Sequence, residues 1–250
     1  MILLNDDVIA DKNLVSEHVR FHENNPDASA LGWIKPAKGT MNGWAVFNSI
    51  HFPYHTIPYN LQNLPFIYFI TANALVERHT LFDAGLFDED YPKPAAEDID
   101  MGYRLMKKGV RLIFNRKAIV YHDHPRTVDE YARQQRMMGF ELGRFVKKHH
   151  DVNITHSVVE ANAEEIRKEA SQQIKKEYGI SLSPNTLRIL LSTEAGLFTL
   201  KKYVQYGIRV KSPKTTASLQ RLVSAYYLQK GYEEFMKAQS NNTTTHKPDR

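Results

Sequence analysis

Carboxylates and imidazoles gather at three points along this 250-residue chain. Asn5-Asp6-Asp7 closes the apolar start Ile2, Leu3, Leu4. Glu97-Asp98 opens a helical pattern, and His122-Asp123-His124 follows the apolar run 118–121. Hard divalent cations prefer carboxylate oxygens and complete their shell with substrate phosphates. A second acid can accept a proton from an attacking hydroxyl. An imidazole can finish a metal shell. Together the three points suit transfer of a group from a metal-bound diphosphate.

Each point also has a plainer explanation. Asp6 and Asp7 could form a solvated turn that leads into the next helix. Glu97 and Asp98 complement a helix macrodipole wherever a helix begins. His122 and His124 alternate along a strand end and face opposite ways, so only one can enter a crevice.

The elements that must hold these groups are legible as patterns. Residues 2–8 read as a short buried strand that ends in the acidic cluster, and Asp11 as the N-cap of a helix to about Phe21. A strand near 30–34 precedes a long loop, within 24–64, that carries Trp33, Trp44, Phe52 and Tyr54. Long irregular loops in compact domains are usually functional, and Trp33 and Trp44 are candidate acceptor contacts. Residues 66–72 read as a strand, 77–84 as a helix closed by Gly85, and 97–108 as an amphipathic helix capped by Gly109. Two short strands are predicted at 111–114 and 118–121. A helix over 127–148 starts with the capping-box pair Thr127 and Glu130. Helices over 157–178, 184–206 and 216–238 follow, and the polar tail 240–250 reads as disordered.

The bulk properties bound the function. The chain can bury one sizeable core with a helical annex. It has no cysteine, which excludes disulfides, thiolate metal sites and cysteine nucleophiles. That fits a reducing, cytoplasmic setting. The net charge of +5 with eleven histidines is modest, and no nucleic-acid partner is expected. No signal-peptide pattern and no run long enough to span a bilayer is present.

The motifs in order resemble the family-2 glycosyltransferases of the GT-A fold. The segments that carry the likeness are LLNDDVIAD (3–11), FITANALVERHTLFDAGLFDEDY (69–91), AAEDIDMGYRLMKKG (95–109), AIVYHDHPRT (118–127) and RQQRMMG (133–139). The resemblance implies an α/β chain: a partial GT-A, Rossmann-like mixed sheet with flanking helices over 1–151, then a helical extension over 152–239. It implies a nucleotide-diphospho-sugar donor, a glycan or lipid-linked acceptor, Mn²⁺ or Mg²⁺, and an inverting reaction.

Carried over by position, Asp7 and His122 match the family's metal ligands, with His124 the second choice. Asp98 matches its base and Glu97 the neighbour. Asn5, Asp6, Asn73, Arg133 and Arg136 fall on the donor side, with Asn73 a backbone-bonding turn residue close to the sugar. Asn5 stands where an acid is usual. The Gln and Trp of the processive QxxRW motif are missing around Arg133 and Arg136, which disfavours polysaccharide polymerisation. The family's nucleotide-holding βαβα segment has no counterpart here, so the resemblance implies a C-terminal portion. A strand ending at Asp7 would be central in a complete GT-A sheet.

Two readings from other classes stand beside this one. The first is a non-catalytic glycosyltransferase-like module for binding or scaffolding. The second is a metal-dependent nucleotidyltransferase, which the GYRL and His122 context disfavours. The basic amphipathic stretch 186–237, with apolar Leu187, Leu190, Leu191, Phe198 and Tyr203, could lie against an anionic membrane surface at its inner face.

Overall fold

The computed structural model describes residues 1–37, 63–123, 127–152, 156–209 and 213–244. Trp44, Phe52, Tyr54 and His124 lie outside the described residues. The chain divides into two compact units, Met1–Pro125 and Arg126–Arg250.

The first unit is a mixed five-stranded sheet with helices on both faces, the α/β architecture expected of a GT-A-like fold. Its strands are β1 (Ile2–Leu3), β2 (Val8–Ala10), β3 (Ala28–Pro36), β4 (Ala74–Leu75) and β5 (Arg111–His122), in the order β1-β4-β3-β5-β2. Its helices are α1 (Leu14–Asn24), α2 (Arg78–Asp83) and α3 (Glu97–Lys107). β3 and β5 run parallel, and the other pairings are antiparallel.

Both faces of the sheet are covered. Met101 and Leu105 of α3 pack with Leu31, Leu112 and Phe69 on one face. Leu14 of α1 packs with Ala118 and Val120 on the other. Full burial of a side chain the size of Phe69 or Met101 contributes roughly 2–3 kcal/mol each.

The N-terminal segment differs from its sequence reading. Residues 2–8 are not one strand. β1 and β2 lie at opposite edges of the sheet, joined by residues 4–7 with a turn at Asp6-Asp7. Four strand spacings in a flat sheet span about 19 Å. Five Cα steps from Leu3 to Val8 reach at most about 18 Å fully extended. The connection closes because the sheet curls and brings its edges together. The acidic cluster therefore lies on the connection between the two edge strands of the described sheet.

Three other expectations shift. Residues 66–72 form single 3₁₀ turns at Phe66–Tyr68 and Thr71–Asn73. The reason is close packing: a Cβ on Gly102 would stand 2.4 Å from the Phe66 carbonyl oxygen. The aromatic run fits beneath α3 only as a turn. The two short strands near 111–121 are one strand, β5, with extra residues 116–118 where its register against β3 jumps from Gly32↔Asn115 to Trp33↔Ile119. Helix α1 starts after Asn13 and runs to Asn24. Asp11 caps no helix but accepts the Asn13 N–H in a turn.

The second unit is helical: α4 (Val128–Lys148), α5 (His156–Tyr178), α6 (Pro184–Ser192), α7 (Glu194–Arg209) and α8 (Pro213–Thr244). Thr127 and Glu130 do form a capping box. The composition change near residue 152 is not where the compact units meet, because α4 packs within the helical unit. Gly139 and Gly231 let the α4 and α8 backbones touch: a Cβ on either would fall within 2.0 Å of a carbonyl oxygen on the other helix. The stretch 184–206 breaks at Thr193 into two helices, and α8 continues past Ser240 to Thr244. No helix among the described residues is long and apolar enough to cross a membrane.

Candidate active site

The curled sheet brings two of the three polar points into contact. Antiparallel pairing sets Val8 opposite His122, and the Asp123 N–H donates to the Asp7 carbonyl at 2.9 Å. That register holds His122 Nε2 3.2 Å from Asp7 Oδ1. Both side chains are partly exposed. One carboxylate and one imidazole are a donor set that suits a cation sharing its shell with phosphates. Among the described residues, no group of three or more metal-type side chains is present, so such a cation would take its other ligands from substrate or water. Asn5 and Asp6 are exposed on the same connection.

Asp98 lies at the second position of α3 and is half-buried. The Thr71 N–H and the Thr71 hydroxyl both donate to Asp98 Oδ2, at 3.1 and 3.2 Å. The hydroxyl also lies 3.4 Å from Asn5 Oδ1, which ties the first polar point to the second. Asp98 Oδ1 is enclosed and has no hydrogen-bond partner among the described residues. Burial pushes the Asp98 carboxyl up from its ordinary value, against the two Thr71 hydrogen bonds that hold it down. A raised carboxyl is a better proton acceptor at neutral pH than an exposed one. Glu97 stands half-buried beside it.

The backbone before α3 contributes to that placement. Ala96, buried, adopts a left-handed φ of 67°. For a residue with a Cβ this costs on the order of 1 kcal/mol. The kink turns the 92–96 loop into the first helical turn, where N–H groups and the macrodipole favour the ionised acid.

Not every acid here is chemical. Asp100 is fully buried and accepts from Arg104 Nε at 2.7 Å, while Arg104 Nη1 reaches the Ala84 carbonyl. The pair pins α3 to the turn at Gly85 and is structural. The i,i+4 spacing of Asp100 and Arg104 was visible in sequence. Thr71 is the residue that sequence reasoning passed over.

Asn73, placed on the donor side by resemblance, is fully buried. Its Nδ2 donates to the Ala118 carbonyl at 3.0 Å and the Trp33 carbonyl at 3.4 Å; its Oδ1 bonds His18 Nε2 at 2.9 Å. It fills the gap that the β5 bulge leaves in the ladder. A Cβ on Gly32 would stand 2.1 Å from that amide. The side chain is engaged inside the domain, not presented to a ligand.

The remaining candidates fall as follows. Trp33 is partly buried, with Lys35 Nζ 4.2 Å above its ring and Phe114 at its edge. One ring face is thus already capped by a cation. Arg133 and Arg136 lie on α4, in the helical unit. Arg136 makes a bidentate pair with Glu234 at 2.7 and 2.6 Å.

With this geometry in place, comparison with known proteins is informative. Residues 5–210 match the model for glycosyl transferase family group 2. The chain belongs to that family. It is 31% identical over 119 residues to a chondroitin synthase of Escherichia coli, across 48% of this chain and 16% of that protein. It is 32% identical over 89 residues to a validoxylamine A glucosyltransferase of Streptomyces hygroscopicus subsp. jinggangensis (strain 5008), across 35% of this chain and 20% of that one. An uncharacterized glycosyltransferase of Bacillus subtilis (strain 168), YfnE, is 38% identical over 64 residues, 25% of this chain and 16% of its own length. The matches thus span a sixth to a fifth of the length of these glycosyltransferases.

Proposed function

We propose that this family member takes part in moving a sugar from a nucleotide-diphospho-sugar to an acceptor hydroxyl, with a divalent cation and inversion at the anomeric carbon. The observation that carries the reading is the 3.2 Å approach of His122 to Asp7, in the same unit that holds Asp98. In this reading the Asp98 carboxylate takes the hydroxyl proton. The acceptor oxygen forms its bond to the anomeric carbon as the bond to the diphosphate breaks, and no covalent enzyme intermediate is needed. Asp7 and His122 would hold Mn²⁺ or Mg²⁺, which when bound offsets charge on the departing diphosphate. Asn5 and Asp6 face the donor.

The test is removal of the ligands. Asp7→Ala and His122→Ala are expected to abolish Mn²⁺-dependent release of nucleotide diphosphate from a panel of uridine, guanosine and thymidine diphospho-sugars. Unchanged release in both variants, or in EDTA, overturns the metal assignment.

The helical unit supports a second component of the proposal, contact with an anionic membrane surface. Leu187 and Leu191 are buried within the unit, but Ile189, Phe198 and Tyr203 are more than half exposed. Co-sedimentation with anionic vesicles at low salt tests it, and absence of binding rejects it.

A further inference from the structure

Thr71 gives both of its hydrogen-bond donors to the same oxygen of Asp98. An unanchored Asp side chain changes χ1 rotamer and turns readily about its terminal torsion. Two donors on Oδ2 remove that freedom. The other oxygen, Oδ1, is enclosed and has no hydrogen-bond partner among the described residues.

Thr71 is itself held from behind. It begins the 3₁₀ turn Thr71–Asn73. The last residue of that turn is locked in the core through Ala118, Trp33 and His18. The turn is thus a short rigid bracket, with one end in the interior and the other on the carboxylate. A group fixed in this way spends little entropy on reaching its reactive geometry.

From this geometry we infer that Thr71 is the positioning residue for Asp98, holding its carboxylate in one orientation through Oδ2. Its hydroxyl proton can serve one acceptor, and Asp98 at 3.2 Å is nearer than Asn5 at 3.4 Å. The neutral Asn5 matters here. A carboxylate at position 5 would compete for that proton, and the exchange of an acid for Asn leaves it to the base. The inference rests on the reading of Asp98 as the base.

Thr71→Val removes the hydroxyl but keeps the branched shape and the N–H, and Thr71→Ser keeps the hydroxyl. The first readout needs no turnover. In the full chain, NMR three-bond couplings should report one Asp98 χ1 rotamer in wild type and Thr71→Ser, and an averaged one in Thr71→Val. The second readout is diphosphate release from the same nucleotide-sugar panel. Thr71→Val should lower kcat on the order of tenfold to a hundredfold, with KM changed by less than about twofold and Thr71→Ser within about threefold of wild type. In an Asp98→Asn background Thr71→Val should cost nothing further.

Unchanged Asp98 couplings in Thr71→Val, or an equal loss of rate in the Asp98→Asn background, overturns the assignment. Full turnover by Asp98→Asn, with the coupling change intact, instead overturns Asp98 as the base.

Discussion

A buried amide and a half-buried carboxylate mark opposite ends of one 3₁₀ turn, and the molecule treats them differently. At the Asn73 end, donors and acceptors of the amide are matched to His18, Trp33 and Ala118. At the Thr71 end, Asp98 has one oxygen satisfied twice and the other not at all. Satisfied polar groups in a core rigidify and specify it. An unsatisfied one costs free energy and survives where something else requires it. The first end solves a folding problem that the β5 bulge creates. The second leaves a problem open where chemistry is expected.

The sharpest way to break this contrast is Asp98→Asn, which should move activity and stability in opposite directions. Turnover should fall by roughly 10²–10⁴. Stability should rise at neutral pH, for a reason of sign. The folded-state pKa of Asp98 lies above its ordinary 3.8. The favourable contribution of its neutral form is complete below that ordinary value and is lost as pH rises through the raised one. At pH 7 the ionised group is a cost, and the amide removes it. Urea midpoints at pH 7 and pH 3.5 measure this: a lower midpoint at pH 7 than wild type would show that Asp98 is a structural acid.

Asn73→Ala attacks the satisfied end. It leaves the His18 imidazole and the two carbonyls of Trp33 and Ala118 without their partner, and should destabilise the first unit by about 2–4 kcal/mol. Chemical denaturation followed through the tryptophans reads it. A loss below about 0.5 kcal/mol would mean that water replaces the amide at no cost.

A gentler probe is pH acting on His18. Burial lowers its pKa below the ordinary 6.5, opposed by the Asn73 hydrogen bond. The folded state keeps the ring neutral while the unfolded chain takes up a proton. Stability is therefore whole above pH 6.5 and falls below it, by at most about 1.4 kcal/mol per pH unit. The His18 ring resonances should stay in the neutral position at pH 6, where an ordinary imidazole has begun to take up its proton. A His18 titration midpoint at or above 6.5 would refute the burial effect.

The sequence made these two ends unequally visible. Asp7, Asp98 and His122 are short polar interruptions at the ends of apolar or helical patterns. Type and spacing were enough to nominate them, and helix α3 with its Gly109 cap followed from periodicity. The 3₁₀ turns of 66–73 were hidden because an aromatic, β-branched run reads as a strand. Packing against Gly102 overrides that local preference. The bulge at 116–118 was invisible for a related reason. A register jump depends on the partner strand, which no local pattern records. Thr71 and Asn73 take their roles from that hidden geometry, which is why Thr71 was passed over and why Asn73, legible as a backbone-bonding turn residue, was not seen to be fully buried.

The connection from Leu3 to Val8 also works as a ruler. It ties opposite edges of the curled sheet with four intervening residues. How far Asp7 can stand from β1 is therefore set by chain length, as a belt's fit is set by its hole. Side-chain exchange at Leu4 or Asp6 leaves the measure unchanged. Addition or removal of one residue alters it, even if every named side chain is kept. Natural variation in this segment should consequently run through spelling rather than length.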